Sequence, residues 1–116
     1  MAPYKVNKPW GHELIWAKTK DYVGKILFIK AGHKLSLQYH NIKEETIYLA
    51  SGVMDFEYEV APGTMQTIRL VAGESHHIEP LRKHRMVAVE DCSVFEVSTP
   101  HLDDVMRLED AYGRIV

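Results

Sequence analysis

An all-β fold in one domain, a sandwich or a barrel, is what this sequence predicts. Three observations carry that expectation. Short runs rich in β-branched and aliphatic residues recur at a spacing of about 8–12 residues, with turn residues between them. No helical period of useful length occurs before the C-terminal segment. The 116 residues suffice to bury one core and leave no room for a second.

Residues 1–12, with Pro3, Pro9, Trp10 and Gly11, read as an arm, residues 13–99 as the barrel and residues 100–116 as a C-terminal segment. Residues 23–31 are rich in β-branched and aliphatic side chains, and Gly32 closes them. Residues 34–40 alternate, with Lys34, Ser36, Gln38 and His40 on one face and Leu35, Leu37 and Tyr39 on the other. Such alternation fits a strand wetted by bulk water and a strand lining a wet barrel interior equally well. Residues 45–50 form the next strand, Ser51-Gly52 a tight turn, and residues 54–60 a further strand. Ala61-Pro62-Gly63 is a second turn signal, residues 64–71 are a strand, and Ala72-Gly73 ends it. Residues 75–79 are a short strand, and residues 86–90 and 93–98 pair around Asp91-Cys92. Residues 100–116 are polar and acidic, a turn of helix or an irregular tail across the barrel.

Composition narrows the function. With 46% hydrophobic and 26% charged residues the chain is that of a soluble globular protein. A formal charge of -2 argues against nucleic acid, whose phosphates want a basic footprint. The one cysteine, Cys92, excludes an internal disulfide framework and cysteine-cluster zinc sites. It falls in a hairpin turn with no histidine near it in sequence, a poor setting for a nucleophile. No apolar run approaches the ~18 residues of a membrane span. The N-terminus has no apolar signal core, so the expected compartment is the cytoplasm. Seven histidines are a mild excess that hints at metal chemistry.

The chemistry concentrates in Gln38-Tyr39-His40, Glu45 and a distant His84. These offer an amide oxygen, two imidazole nitrogens and a carboxylate, a set suited to a divalent ion of intermediate hardness. In an extended strand Gln38 and His40 share a face. Glu44 competes with Glu45 as the carboxylate. His76 and His77 read as a polar strand end, and His12, His33 and His101 as surface residues. Trp10 and Trp16 fit core packing or an interface better than stacking on a sugar.

The spacing resembles the two motifs of the cupin superfamily. Gly32 is followed by five residues, Gln38, Tyr39, His40, four residues, Glu45, six residues and Gly52. Gln38 takes the place of the motif's first histidine, and the gap to Gly52 selects Glu45 over Glu44. In the second motif Gly73 and His84 hold their offsets, but Glu79 stands where proline is usual, Leu81 where glycine is usual and Ala88 where asparagine is frequent. Leu35-Ser36-Leu37-Gln38-Tyr39-His40, Lys8-Pro9-Trp10-Gly11 and the stretch Asp103-Asp104-Val105-Met106-Arg107-Leu108-Glu109-Asp110-Ala111-Tyr112-Gly113-Arg114 are similar to segments of the mannose-6-phosphate isomerase domain of type II enzymes. The Arg-x-Glu-His-Trp stretch usual there is Lys43-Glu44-Glu45-Thr46-Ile47 here, Asn41 and Ile42 replace further histidines, and the nucleotidyltransferase domain of the bifunctional enzymes is absent.

The resemblance implies a cupin double-stranded β-helix, a jelly-roll barrel, over residues 1–116. It implies Gln38, His40, Glu45 and His84 as ligands of a divalent metal ion: zinc, manganese, nickel or iron. It points to a sugar or sugar phosphate as substrate, and to an aldose–ketose isomerisation with the metal as Lewis acid. Glu96, charged in the apolar strand Phe95-Glu96-Val97, is the candidate base, and Lys34 a candidate contact to substrate oxygen or phosphate. Arg85 and Arg114 are candidate substrate-binding cations, whereas Arg82 and Lys83 read as a solvated cluster. A non-catalytic metal- and small-molecule-binding cupin is one alternative, and a metal-dependent oxygenase another. Open sheet edges need cover, and a homodimer, with the arm and Trp10 crossing over, supplies it.

Overall fold

The structure is a computed structural model and describes residues 1–114. Eleven strands form two antiparallel sheets. They are β1 (Tyr4–Lys8), β2 (Gly11–Lys18), β3 (Val23–Ile29), β4 (Leu37–Tyr39), β5 (Glu45–Ser51), β6 (Val53–Ala61), β7 (Thr64–Val71), β8 (Ser75–Ile78), β9 (His84–Ala88), β10 (Cys92–Ser98) and β11 (Met106–Glu109). One sheet runs β1-β2-β3-β10-β5-β8, the other β11-β4-β9-β6-β7. Successive strands change sheet at β5–β6 and at β9–β10, as in a jelly roll. The predicted all-β barrel is therefore what the chain forms.

Three local readings change. Residues 86–90 and 93–98 do not pair with each other: β9 lies between β4 and β6, and β10 between β3 and β5. The link through Asp91 crosses between sheets, and Cys92 opens a strand rather than a hairpin turn. Its Sγ is buried and lies 3.2 Å from the carbonyls of Val53 and Glu90. Residues 34–40 are less regular than their alternation suggests, with only Leu37–Tyr39 in a strand and Lys34 in an isolated bridge to Val87. The C-terminal segment holds β11, which pairs with β4 and closes that sheet's edge. Residues 115 and 116, at the end of that segment, lie outside the described residues. The stretch read as an arm carries β1, which pairs with β2 around Pro9-Trp10.

Alternation explains which side chains meet between the sheets. On β3, Val23, Lys25, Leu27 and Ile29 share the inner face, and on β10, Cys92, Val94, Glu96 and Ser98 do so. Together with Trp10, Ile47, Leu49, Met54, Phe56, Ile78 and Met86, the apolar members Leu27, Ile29, Cys92 and Val94 make one core. The charged members Lys25 and Glu96 are equally inward, and direct cross-strand register sets them side by side. The barrel is thus apolar towards one end and charged towards the other.

Glycine is required at the β5–β6 crossover. Gly52 has φ +95°, and a Cβ there would lie 2.2 Å from the Asp91 carbonyl oxygen. No side chain fits, which accounts physically for the glycine that closes the first motif.

Candidate metal centre

His40 follows β4, Glu45 opens β5 and His84 opens β9, so both sheets contribute. The His40 and His84 rings lie 5.1 Å apart by centroid. Each Nε2 is 3.7 Å from a different Glu45 oxygen, and the three candidate ligand atoms fall within 4.8 Å of one another. All three residues are buried, with exposures of 1–3%.

The backbone fixes which ring nitrogen faces inward. His40 Nδ1 lies 2.5 Å from the Asp104 carbonyl, and His84 Nδ1 lies 3.0 Å from the Arg82 carbonyl. A carbonyl only accepts, so each Nδ1–H donates and each Nε2 presents a lone pair. Neither Nε2 has a hydrogen-bond partner among the described residues. Burial pushes the His84 pKa down, against the opposing pull of Glu45 and the Arg82 carbonyl. It is a neutral imidazole at pH 7, the form that ligates metal. Two orphaned buried lone pairs facing one carboxylate fit a divalent cation in donor type and in number, and histidines oriented by backbone carbonyls are the usual support of such a site.

Gln38 lines the same cavity as His40, and its backbone pairs with His84. Its Oε1 accepts from Ser36 Oγ at 2.7 Å, which leaves one lone pair for a further contact.

The anchor of His40 is itself held. The Asp104 carboxylate accepts from the backbone N–H groups of Asn41, Ile42 and Lys43 at 2.7–3.1 Å. Burial opposes its ionisation, but these three donors and the Asn41 amide outweigh it and hold Asp104 far below the usual carboxylate range. One residue thus fixes the loop between His40 and Glu45 with its side chain and orients the His40 ring with its carbonyl.

Behind Glu45 runs a buried row of alternating charge. Lys43 Nζ is 2.8 Å from Glu45 Oε2, an ion pair without hydrogen-bond alignment, and 3.3 Å from Glu96 Oε2. Lys25 Nζ is 3.6 Å from Glu96 Oε2 and 3.1 Å from Glu13 Oε2. Burial opposes the charge of Glu96, yet Lys25 and Lys43 win and keep its pKa below the ordinary value. Burial likewise opposes the charge of Lys43, and the Glu96 and Glu45 carboxylates outweigh it and raise its pKa. Lys25 and Glu13 were absent from the sequence-derived candidates. Their signal was a charged residue in phase with an apolar inner face, as Lys25 is between Val23 and Leu27.

Glu13, Lys25, Lys43 and Glu96 border a cavity of about 220 Å³ together with Gln38 and His40, while Glu45 and His84 lie outside its lining. Glu96 and Arg114 line it, and Lys34 and Arg85 do not. The Arg85 guanidinium donates at 3.0 Å to the carbonyls of Leu35 and Glu109, a strut between the β4 approach and β11. Arg114 donates to Asp110 at 2.8 and 2.9 Å, and holds that carboxylate down at about 2. His76 packs edge-on against Tyr58, and His77 pairs with Glu44 at 2.5 Å on the surface. Burial pushes the Cys92 thiol up, so it stays protonated at neutral pH.

Leu81 keeps the backbone of the glycine it replaces. Its φ is +68°, it is the one non-glycine residue described with positive φ, and its N–H donates to the His40 carbonyl at 2.7 Å. The degenerate second motif therefore retains its turn and the position of His84.

Solved structures share this fold. KdgF from Halomonas sp. matches at 22% identity with a TM-score of 0.75, over 89% of this chain and 91% of that one. A variant of oxalate decarboxylase from Bacillus subtilis matches at 13% identity with a TM-score of 0.80, over 91% of this chain and 30% of that one. The capsular polysaccharide assembling protein CapF from Staphylococcus aureus matches at 16% identity with a TM-score of 0.76, over 93% of this chain and 34% of that one. This chain spans about a third of the latter two. No curated protein matches it in sequence. The family described as mannose-6-phosphate isomerase C-terminal matches residues 2–110. With the jelly roll and the first-motif spacing in agreement, the chain is a cupin and belongs to the mannose-6-phosphate isomerase C-terminal family.

Proposed function

We propose that this protein binds a divalent metal ion at His40, Glu45 and His84, with Gln38 as fourth ligand, and isomerises a sugar or sugar phosphate between aldose and ketose. The carrying observation is the pair of partnerless Nε2 atoms facing Glu45 across a buried gap. A bound ion there supplies Lewis acidity to the substrate's carbonyl and hydroxyl oxygens. The chain's own residues do the rest. Glu96 lines the cavity as a carboxylate held ionised by two lysines, the state a base needs to accept a proton from carbon. Arg114 supplies charge at the cavity wall, and Arg85 holds that wall in place. Lys34 lies outside the lining. Family membership and the likeness to a capsular polysaccharide assembling protein support the substrate class; the departures at Lys43, Thr46 and Ile47 are where its substrate would differ.

The test is metal content by mass spectrometry on wild type and on a His40→Ala/His84→Ala double variant, followed by a sugar-phosphate panel. Near-stoichiometric zinc, manganese, nickel or iron, lost in the variant, and turnover on the panel support the proposal. A folded wild type that retains no metal and recovers none on addition refutes the centre. Metal without turnover leaves a binding cupin, and iron with oxygen uptake an oxygenase.

The same reading includes a cytoplasmic homodimer. The outer face of the six-stranded sheet supports the dimer: Tyr48 and Phe95 are cross-strand neighbours, the Trp16 ring lies over Gly24, and Val97 pairs with Gly24, all four large side chains being exposed. Light scattering at micromolar concentration decides it, and a monomeric mass removes the claim. No helix of the described residues is long and apolar enough to cross a membrane.

A further inference from the structure

Lys43 reaches two carboxylates in two different ways. Its backbone N–H donates to Asp104 Oδ2 at 2.9 Å, which pins the residue between His40 and Glu45. Its ammonium is buried and donates to Glu96 Oε2 at 3.3 Å. It comes closer to Glu45 Oε2, at 2.8 Å, but off the axis of a hydrogen bond, and Oε2 has no hydrogen-bond partner among the described residues. Lys43 therefore offsets the charge of Glu45 and leaves the Oε2 lone pairs unoccupied, with His40 Nε2 3.7 Å away.

The balance of charge along the row gives this contact a consequence. Glu13, Glu96 and Glu45 stand against Lys25 and Lys43, one negative charge in excess. A divalent ion brings two positive charges into a place shut off from water, so half of its charge finds no match in the row. Affinity at a cation site follows the charge its surroundings supply, and a buried charge without a counter-charge is costly. Without Lys43 the row would match the ion in full. Without the charge of Glu96, Lys43 would bear on Glu45 alone and the excess would vanish.

We propose that Lys43 is a positioning residue that holds the affinity of the metal centre down: it keeps Glu45 in place with its lone pairs free while the centre is empty, and it opposes the ion that arrives. The centre then exchanges its ion rather than locking it in. This statement rests on the metal-centre reading above. A lysine that served only the fold would have the opposite effect on removal, because ligands that lose their support bind less tightly.

The test is isothermal titration of metal-stripped full-length protein with zinc and with manganese, with release to a chelator timed on the same samples and the fold checked by circular dichroism. The expected result is that Lys43→Met binds both ions roughly tenfold or more tightly than wild type, and releases them more slowly. Lys43→Arg, which keeps the charge, restores wild-type affinity. Lys25→Met removes the same charge from beside Glu96 and Glu13 but not from beside Glu45, and tightens binding by less than Lys43→Met. Glu96→Gln weakens binding. Should Lys43→Met not fold without metal, the opposite signs at Lys25→Met and Glu96→Gln carry the test. A folded Lys43→Met that binds no more tightly than a metal-binding wild type overturns the proposal and leaves the metal centre standing, as does Glu96→Gln at or above wild-type affinity. Ions taken by Lys43→Met but not by wild type sustain both. Ions taken by neither refute the metal centre, and the role of Lys43 falls with it.

Discussion

Removing the Lys43 ammonium tests the buried charge row most directly. Lys43→Met keeps an unbranched side chain of similar length and deletes the charge that lies 2.8 Å from Glu45 and 3.3 Å from Glu96. Glu96 retains Lys25 at 3.6 Å, so the cost falls mainly on Glu45, whose side chain is 1% exposed. Breaking a buried pair by deleting one partner costs about 3–5 kcal/mol. For a domain of this size that is roughly 12–20 °C in Tm, at about 4 °C per kcal/mol. The assay is urea unfolding of metal-free protein followed by tryptophan fluorescence, with Trp10 as a buried reporter. A divalent ion restores positive charge beside Glu45, so adding it is expected to stabilise Lys43→Met more than wild type. The sign of the pH dependence follows from the raised pKa of Lys43. Its contribution is complete below its ordinary value of 10.5 and is lost only as pH climbs through the higher folded value. The gap between wild type and variant should therefore be flat from neutral pH to about pH 10 and shrink above it. A Lys43→Met protein within about 1 kcal/mol of wild type at pH 7 without metal would refute the reasoning, because the row would then be solvated rather than mutually paired.

Three further outcomes are expected. Asp104→Ala, which keeps the carbonyl that meets His40 but removes the carboxylate, should weaken metal binding about 10–100-fold by isothermal titration, since it frees the loop that orients His40; because the Asp104 pKa is depressed, wild type should also lose more stability than Asp104→Asn as pH falls below the ordinary 3.8. Leu81→Gly should raise stability by about 0.5–1 kcal/mol in urea unfolding, the relief of a left-handed leucine less the entropy of glycine, because Leu81 is 62% exposed and packs little; an unchanged midpoint would show the strain to be absent. Gly52→Ala should cost more than about 3 kcal/mol or abolish folding, since its Cβ meets the Asp91 carbonyl at 2.2 Å where φ is +95°.

The clustering of His40, Glu45 and His84 as a candidate trio was legible because motif spacing encodes topology. The six residues between Glu45 and Gly52 are the remainder of β5, which Glu45 opens, and Gly52 can only be glycine, so the count selected Glu45 over Glu44, which sits on the surface against His77. His84 was legible for the same reason, although Leu81 occupies the turn before it. Which strands share a sheet was not legible. Runs separated by a short turn look like hairpins whether they pair, as β6 and β7 do, or cross between sheets, as β9 and β10 do. That choice belongs to long-range packing, which local pattern does not record. The charged row was half visible. Glu96 drew notice as a charge in an apolar strand, whereas Lys25 and Glu13 sit in equally apolar phase and acquire meaning only through cross-strand register.

Asp104 gives the molecule an order of events. His40, Glu45 and His84 all leave the ribosome before Asp104, the last of them by about one to four seconds at roughly 5–20 residues per second. Until that residue docks, the loop after β4 lacks its three backbone anchors and the His40 ring lacks its carbonyl. A nascent chain thus holds every ligand in hand without the geometry to grip an ion tightly. At the proposed centre, metal capture becomes a late step of folding, and the segment between β10 and β11 that carries Asp104 acts as the clasp that decides when the site is finished.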